Sequence, residues 1–407
     1  MSFENAKKLY SEHGVDVEHA LETAASTPIS IQCWQGDDVT GFDSGGTGGG
    51  IQATGNYPGR AGNFDELKAD FSKACSFIPG KKRINLHASY AVFSNGKKDR
   101  DALNYEHFSP WVEFAKEKRI GIDFNPTCFG HAKVKDGLTL SSPDKETRDF
   151  WIRHCKQSRI IANGIGDALS DKVLNNIWIP DGLKDIPADR TGPRKRLKEA
   201  LDEIFASRLP NVIDCVESKV FGIGLESYTA GSNEFYLSYC ASRGDVYPLL
   251  DNGHFHPTEN AADKISALAL FFDCVPFHIT RPVRWDSDHV PLFNDELREL
   301  FTEIVRSGAL SKARIGLDFF DASINRVAAW ITGTHSAQKA LLYALLTPDL
   351  SGLQNSGDFT QLMYRQEELR LLPFGEIWDE YLRRGNIPGN WYDVIKKYEN
   401  EVLKARK

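Results

Sequence analysis

A chain of 407 residues, 26% charged and 11% aromatic, has room for one large barrel or two ordinary domains around a substantial core. Its net charge of -7 argues against a nucleic-acid partner, and no apolar run approaches the roughly 18 residues of a membrane span. The opening Met1-Ser2-Phe3-Glu4-Asn5-Ala6-Lys7-Lys8 lacks the charged-then-apolar pattern of a secretory signal. The seven cysteines are odd in number and contain no CxxC, which speaks against a disulfide framework or a zinc–thiolate site. Several lie inside apolar runs, as small buried hydrophobes do. The expectation is a reduced, cytoplasmic chain.

In chain order, residues 3–26 read as one amphipathic helix stopped at Thr27-Pro28, since the residue before proline is pushed out of helical conformation. Residues 29–34 alternate with period two and predict a first strand. Residues 41–62 follow, rich in glycine. No GK[ST] accompanies them and no regular helix is expected directly behind, so an active-site or surface loop fits better than a phosphate cradle.

Further strands are expected at 83–90, 120–126, 176–180, 211–219, 246–251, 275–278 and 314–318. Helices are expected at 111–118, 144–161, 193–207, 233–242, 258–272, 294–307 and 323–346. Eight strands alternating with helices predict an α/β fold, a (β/α)₈ TIM barrel. It would carry a short N-terminal helical segment (1–28), a catalytic barrel (29–346) and a helical C-terminal extension (347–407) suited to subunit contacts.

Polar residues gather at the expected strand ends. Glu217, Asp251, His278 and Asp318 fall at or near the C-terminal ends of strands five to eight. Neighbouring strands lie roughly 5 Å apart, so four such side chains can meet on one hard divalent ion. His254, Asp286 and Asp288 lie slightly further out, suited to a second ion. Each residue has an ordinary alternative: a lone histidine can be satisfied in a core, a strand-end aspartate caps helices, and a DxD is often a solvated loop. Their coincidence on successive strand ends favours metal, because so many buried carboxylates without a cation would be strongly unfavourable.

Lys219 shares a side of its strand with Glu217 and could donate to a substrate oxygen or merely neutralise the acids. His87, Phe129, Trp178 and Trp285 could wall a sugar pocket, although the aromatics serve equally well as core. No GxSxG elbow or cysteine-nucleophile signature is present, which makes acyl chemistry improbable.

Several strings are specific. Trp34-Gln35-Gly36-Asp37-Asp38, residues 50–59, Asp251-Asn252-Gly253-His254-Phe255-His256-Pro257-Thr258-Glu259, Arg284-Trp285-Asp286-Ser287-Asp288-His289 and residues 317–326 resemble L-rhamnose isomerases, over nearly the whole chain. The resemblance implies a xylose-isomerase-like barrel, a cytoplasmic homotetramer, two divalent cations (Mn²⁺ preferred, Co²⁺ or Mg²⁺ also suitable) and interconversion of L-rhamnose with L-rhamnulose. It assigns an inner ion to Glu217, Asp251, His278 and Asp318, and an outer, catalytic ion to His254, Asp286 and Asp288. Asp321 is the rival of Asp318, and Glu226 of Glu217; the strand end and the Glu217-Ser218-Lys219 context favour the first of each pair. Catalysis would fall to Asp286, Asp288, His254 and Lys219, and substrate binding to His87, Trp178 and Lys219. The expected chemistry is a metal-assisted hydride shift, against an enediol route with Lys219 or a carboxylate as base. A barrel isomerase for another deoxy-aldose and a metal-dependent phosphodiesterase are the competing functions, the second disfavoured by the acidic balance.

Overall fold

The structure is a computed structural model that describes residues 1–32, 42, 57, 59–219, 226–283, 287–320 and 323–406. Eight parallel strands form its centre: β1 (Ile29–Ile31), β2 (Lys82–His87), β3 (Gly121–Asn125), β4 (Val173–Ile177), β5 (Val212–Glu217), β6 (Tyr247–Asp251), β7 (Val275–Ile279) and β8 (Ala313–Leu317). They close in the order β1-β8-β7-β6-β5-β4-β3-β2, with helices in the crossovers, which is the expected TIM barrel.

Alternation along each strand sends one set of side chains outward and one inward. Ile122 and Phe124 of β3, Phe277 and Ile279 of β7, and Ile315 and Leu317 of β8 join the large core beneath the helices. Inside the barrel, Leu174, Ile213, Cys215 and Leu249 make a separate apolar plug. Two residues beyond Cys215 and Leu249, on the same inward face, come Glu217 and Asp251. The inner apolar layer is thus the floor on which the acidic residues stand.

Several boundaries differ from expectation. The N-terminal stretch is two helices, Phe3–Glu12 and Val17–Ser26, not one. Gly14 at φ +80° turns the chain, and Asp16 caps the second helix by accepting from His19 N at 3.1 Å. A helix, Phe64–Cys75, does open directly behind the glycine-rich segment, with Asn63 Oδ1 accepting from Glu66 N at 3.0 Å. The fourth strand is Val173–Ile177, three residues earlier than the apolar run suggested, because Asn175 and Asn176 lie inside it. The second strand ends at His87 and continues as a tight turn, Ala88–Tyr90. The helix expected from 258 begins only at Asp263. The region from 33 to 56 falls outside the described residues except for Phe42.

The C-terminal helices pack back onto the barrel. Ile377, Trp378, Tyr381 and Ile395 join the same large core as the strands. Arg406 donates to both oxygens of Asp70, at 2.7 and 2.9 Å, and Tyr398 donates to Asp70 at 2.6 Å. Tyr57, at the foot of the glycine-rich segment, donates to Glu399 at 3.1 Å and accepts from Asn325 at 2.9 Å. The extension therefore braces loops on the barrel's C-terminal side. Among the described residues no helix is long and apolar enough to cross a membrane.

Candidate active site

Register decides which strand ends meet. Asp251 pairs with His278 across β6 and β7, Gly316 pairs with His278 across β7 and β8, and Glu217 pairs with Leu249. Asp318 N donates to Ile279 O at 3.2 Å, carrying the ladder one step past β8. Glu217, Asp251, His278 and Asp318 are consequently brought together, each offering an atom within 4.8 Å of the others. His278 Nδ1 lies 3.2 Å from both Glu217 and Asp318 and 4.0 Å from Asp251. Separations near 3 Å are the edges expected of donors about 2.1 Å from a shared hard ion. A second group, Asp251, His254 and Asp288, shares the central aspartate. His254 Nδ1 lies 3.3 Å from Glu217, so the two groups adjoin.

The charges show what this donor set requires. Burial pushes Asp251 well above the usual carboxylate range, and Glu217 and Asp318 push it further while His254 and His278 oppose them. Burial also raises Glu217, but His278 and His254 more than offset it and hold that carboxylate below its ordinary value. Burial lowers His278, yet Glu217 and Asp318 raise it to about 9. Without a cation the acids are balanced in part by a proton on His278. Four carboxylates and two imidazoles, all oxygen and nitrogen donors, fit a hard or borderline divalent ion.

Glycine and strain shape the cradle. A Cβ on Gly253 would stand 2.7 Å from Thr280 Cγ2, 2.9 Å from Asp288 Oδ1 and 3.2 Å from Asp251 Oδ1. Gly253 N donates to Asp251 Oδ1 at 2.7 Å, aiming that carboxylate. Asn252 extends the β6–β7 ladder with its side chain: Nδ2 donates to Thr280 O at 3.0 Å, and Thr280 N donates back to Oδ1 at 2.8 Å. Asp288 adopts φ +37°, unusual for a non-glycine residue, and its carbonyl accepts from Phe320 N at 2.8 Å. Gly253→Ala is expected to weaken divalent-ion binding about 10- to 100-fold, by analogy with the loss of a ligand's support. Mn²⁺ titration of the folded variant checks this; unchanged affinity would show that the gap at Gly253 is dispensable.

The remaining expected residues lie nearby in different circumstances. His87 is buried at the end of β2, held by Thr127 Oγ1 at 3.3 Å from Nδ1, and burial together with His278 keeps it neutral. Lys219 is buried, but its ammonium donates to Pro180 O and Glu226, both at 2.6 Å, and sits 5.8 Å from the Trp178 ring centroid. Glu226, the rival of Glu217, is thus the partner of Lys219. Trp178 packs edge-on against Phe129 at 5.4 Å. Asp286, Trp285 and Asp321 lie outside the described residues. Asn176 escaped the sequence reading: it is buried at the end of β4 and donates to Glu217. Two adjacent asparagines in a strand, where asparagine is depleted, were its signal.

A family model described as L-rhamnose isomerase matches residues 1–406. L-Rhamnose isomerases of Salmonella typhi and Salmonella paratyphi B are each 51% identical over 413 residues, covering 100% of this chain and 98% of theirs. Among solved structures, a D-tagatose 3-epimerase-like protein has a TM-score of 0.46 at 11% identity, over 64% of this chain and 88% of its own. That likeness is too distant to bear on the site. With full-length matches at this identity, the chain belongs to the L-rhamnose isomerase family.

Proposed function

We propose that the chain interconverts L-rhamnose and L-rhamnulose at a pair of adjoining divalent-ion sites. The observation that carries this reading is the meeting of two donor groups on Asp251. Glu217, Asp251, His278 and Asp318 would hold one ion; His254, Asp288 and Asp286, with Asp251 shared, would hold the other. Mn²⁺ suits mixed carboxylate and imidazole donors, and Co²⁺ or Mg²⁺ could replace it. Bound there, such ions supply Lewis acidity to the hydroxyl and carbonyl oxygens of the sugar.

The protein's own part is positioning and proton control. Neutral His87 can accept or donate one hydrogen bond to a sugar hydroxyl without bringing a second charge to the site. Trp178 and Phe129 offer an apolar wall. Lys219 reads as a donor rather than a carbon base, since its ammonium is already engaged by Glu226 and a carbonyl. The acids at the floor are committed to the donor groups, so the hydrogen is proposed to move between C1 and C2 as hydride rather than through an enediol. The expected result in D₂O is metal-dependent conversion of L-rhamnose with little deuterium at C1 or C2 of the product. One solvent deuterium per turnover would reject the hydride route, and no conversion with any of the three metals would reject the function.

The cell context is part of the same proposal. Six described cysteines are free thiols, as suits the reducing cytoplasm. Phe359, Met363, Tyr364 and Leu371 of the C-terminal helices are exposed, and a homotetramer would cover such apolar surface. Residues 29–346 would then be the catalytic barrel and 347–407 the subunit-contact extension.

A further inference from the structure

We infer that a single buried water inside the barrel, held by Ser30 and Asn85, fixes the ring of His278 from below. The inference rests on the reading of His278 as a metal ligand. His278 Nδ1 faces Glu217 and Asp318, so that nitrogen is the one turned to the ion. The other side of the ring looks toward Gly316, where an added Cβ would lie 3.2 Å from Cδ2 and 3.7 Å from Nε2. Glycine at this inward position is what leaves room beside the ring.

That room is a cavity of about 20 Å³ bordered by Ser30, Asn85, His278 and Gly316, with the Arg83–Asp123 ion pair and Arg314 also on its wall. A water needs at least ~10–15 Å³ of such space and two to four polar partners. Ser30 is 5% exposed and its Oγ has no partner among the described residues; Asn85 is equally buried. A hydroxyl, an amide and an imidazole N–H therefore border a space large enough for one water, beside the paired Arg83 and Asp123. A histidine bound through one nitrogen ordinarily donates its other N–H to a carbonyl, carboxylate or water, which sets the tautomer and the ring's orientation. Ser30 and Asn85 would supply that function through the water, from β1 and β2 on the opposite side of the barrel axis from Asp251. They are positioning residues: neither faces the sugar.

Crystals of the Mn²⁺-loaded full chain, at a resolution that shows ordered solvent, test the inference directly. The expected result is one water within ~3.2 Å of both His278 Nε2 and Ser30 Oγ. Ser30→Ala should lower Mn²⁺ affinity about tenfold without lowering the melting temperature of the metal-free protein, and Ser30→Thr should restore affinity. Gly316→Ala, which narrows the cavity, should weaken binding in the same direction. Mn²⁺ on His278 above a dry cavity, or wild-type affinity in Ser30→Ala, would overturn this inference alone. Mn²⁺ bound away from His278 would overturn it together with the proposed ligand set.

Discussion

Asp251→Asn is expected to cost activity by a factor on the order of 10³ or more, because one carboxylate serves both donor groups and charge stabilisation at the reacting oxygens is lost with it. Folding should not suffer. In the metal-free wild type, burial and the neighbouring acids hold Asp251 well above its ordinary value. Such a group favours folding only while the unfolded carboxyl is also protonated; above the usual carboxylate range, folding must take up a proton and is penalised. Asparagine has the same shape and no such penalty, so the metal-free variant should melt at or above the wild-type temperature at pH 7. Added Mn²⁺ should no longer raise that temperature, whereas wild type gains about 2.7 kcal/mol when the ion is present at 100 times its dissociation constant. A metal-free variant that melts well below wild type would mean that Asp251 serves the fold instead.

The second large effect is on pH. Glu217 and Asp318 raise His278 to about 9, so the metal-free site at neutral pH holds a proton on the nitrogen an ion needs. Burial and the neighbouring acids shift Asp251 upward as well. Metal binding must displace the His278 proton, so affinity should rise with pH and level off only above about 9. That displaced proton makes the slope about tenfold per pH unit below that value, which amounts to on the order of 50-fold between pH 7 and 9. Calorimetric titration with Mn²⁺ in two buffers of different ionisation enthalpy counts the protons released. About one is expected, from His278; none would show that the imidazole is already deprotonated before the ion arrives.

The meeting of these acids and imidazoles could be read from the chain because a parallel barrel puts all strand C-termini on one face. An acid or imidazole ending an apolar run is thereby sent to a known place, and Glu217, Asp251, His278 and Asp318 meet as that rule requires. What depends on contacts beyond the strand was harder to read. Asn176 lay inside a strand that apolar runs misplaced by three residues, and its partner is Glu217, 41 residues on. The break at Gly14 divided a stretch whose apolar periodicity looked continuous. Lys219 shares a strand side with Glu217 but its ammonium turns to Glu226 and Pro180, while its backbone bonds to Thr229 and Gly231, partners that spacing along the strand does not reveal. Gly253 and Gly316 gave no local sign of the side chains they make room for.

Anomalous diffraction at the manganese absorption edge, from crystals of the full chain grown with Mn²⁺, tests the adjoining ion sites most directly. Two peaks are predicted, one touching Glu217, Asp251, His278 and Asp318, the other Asp251, His254, Asp286 and Asp288. Peaks elsewhere on the barrel, or none at saturating Mn²⁺, would contradict the two-ion centre on which the proposed sugar chemistry stands.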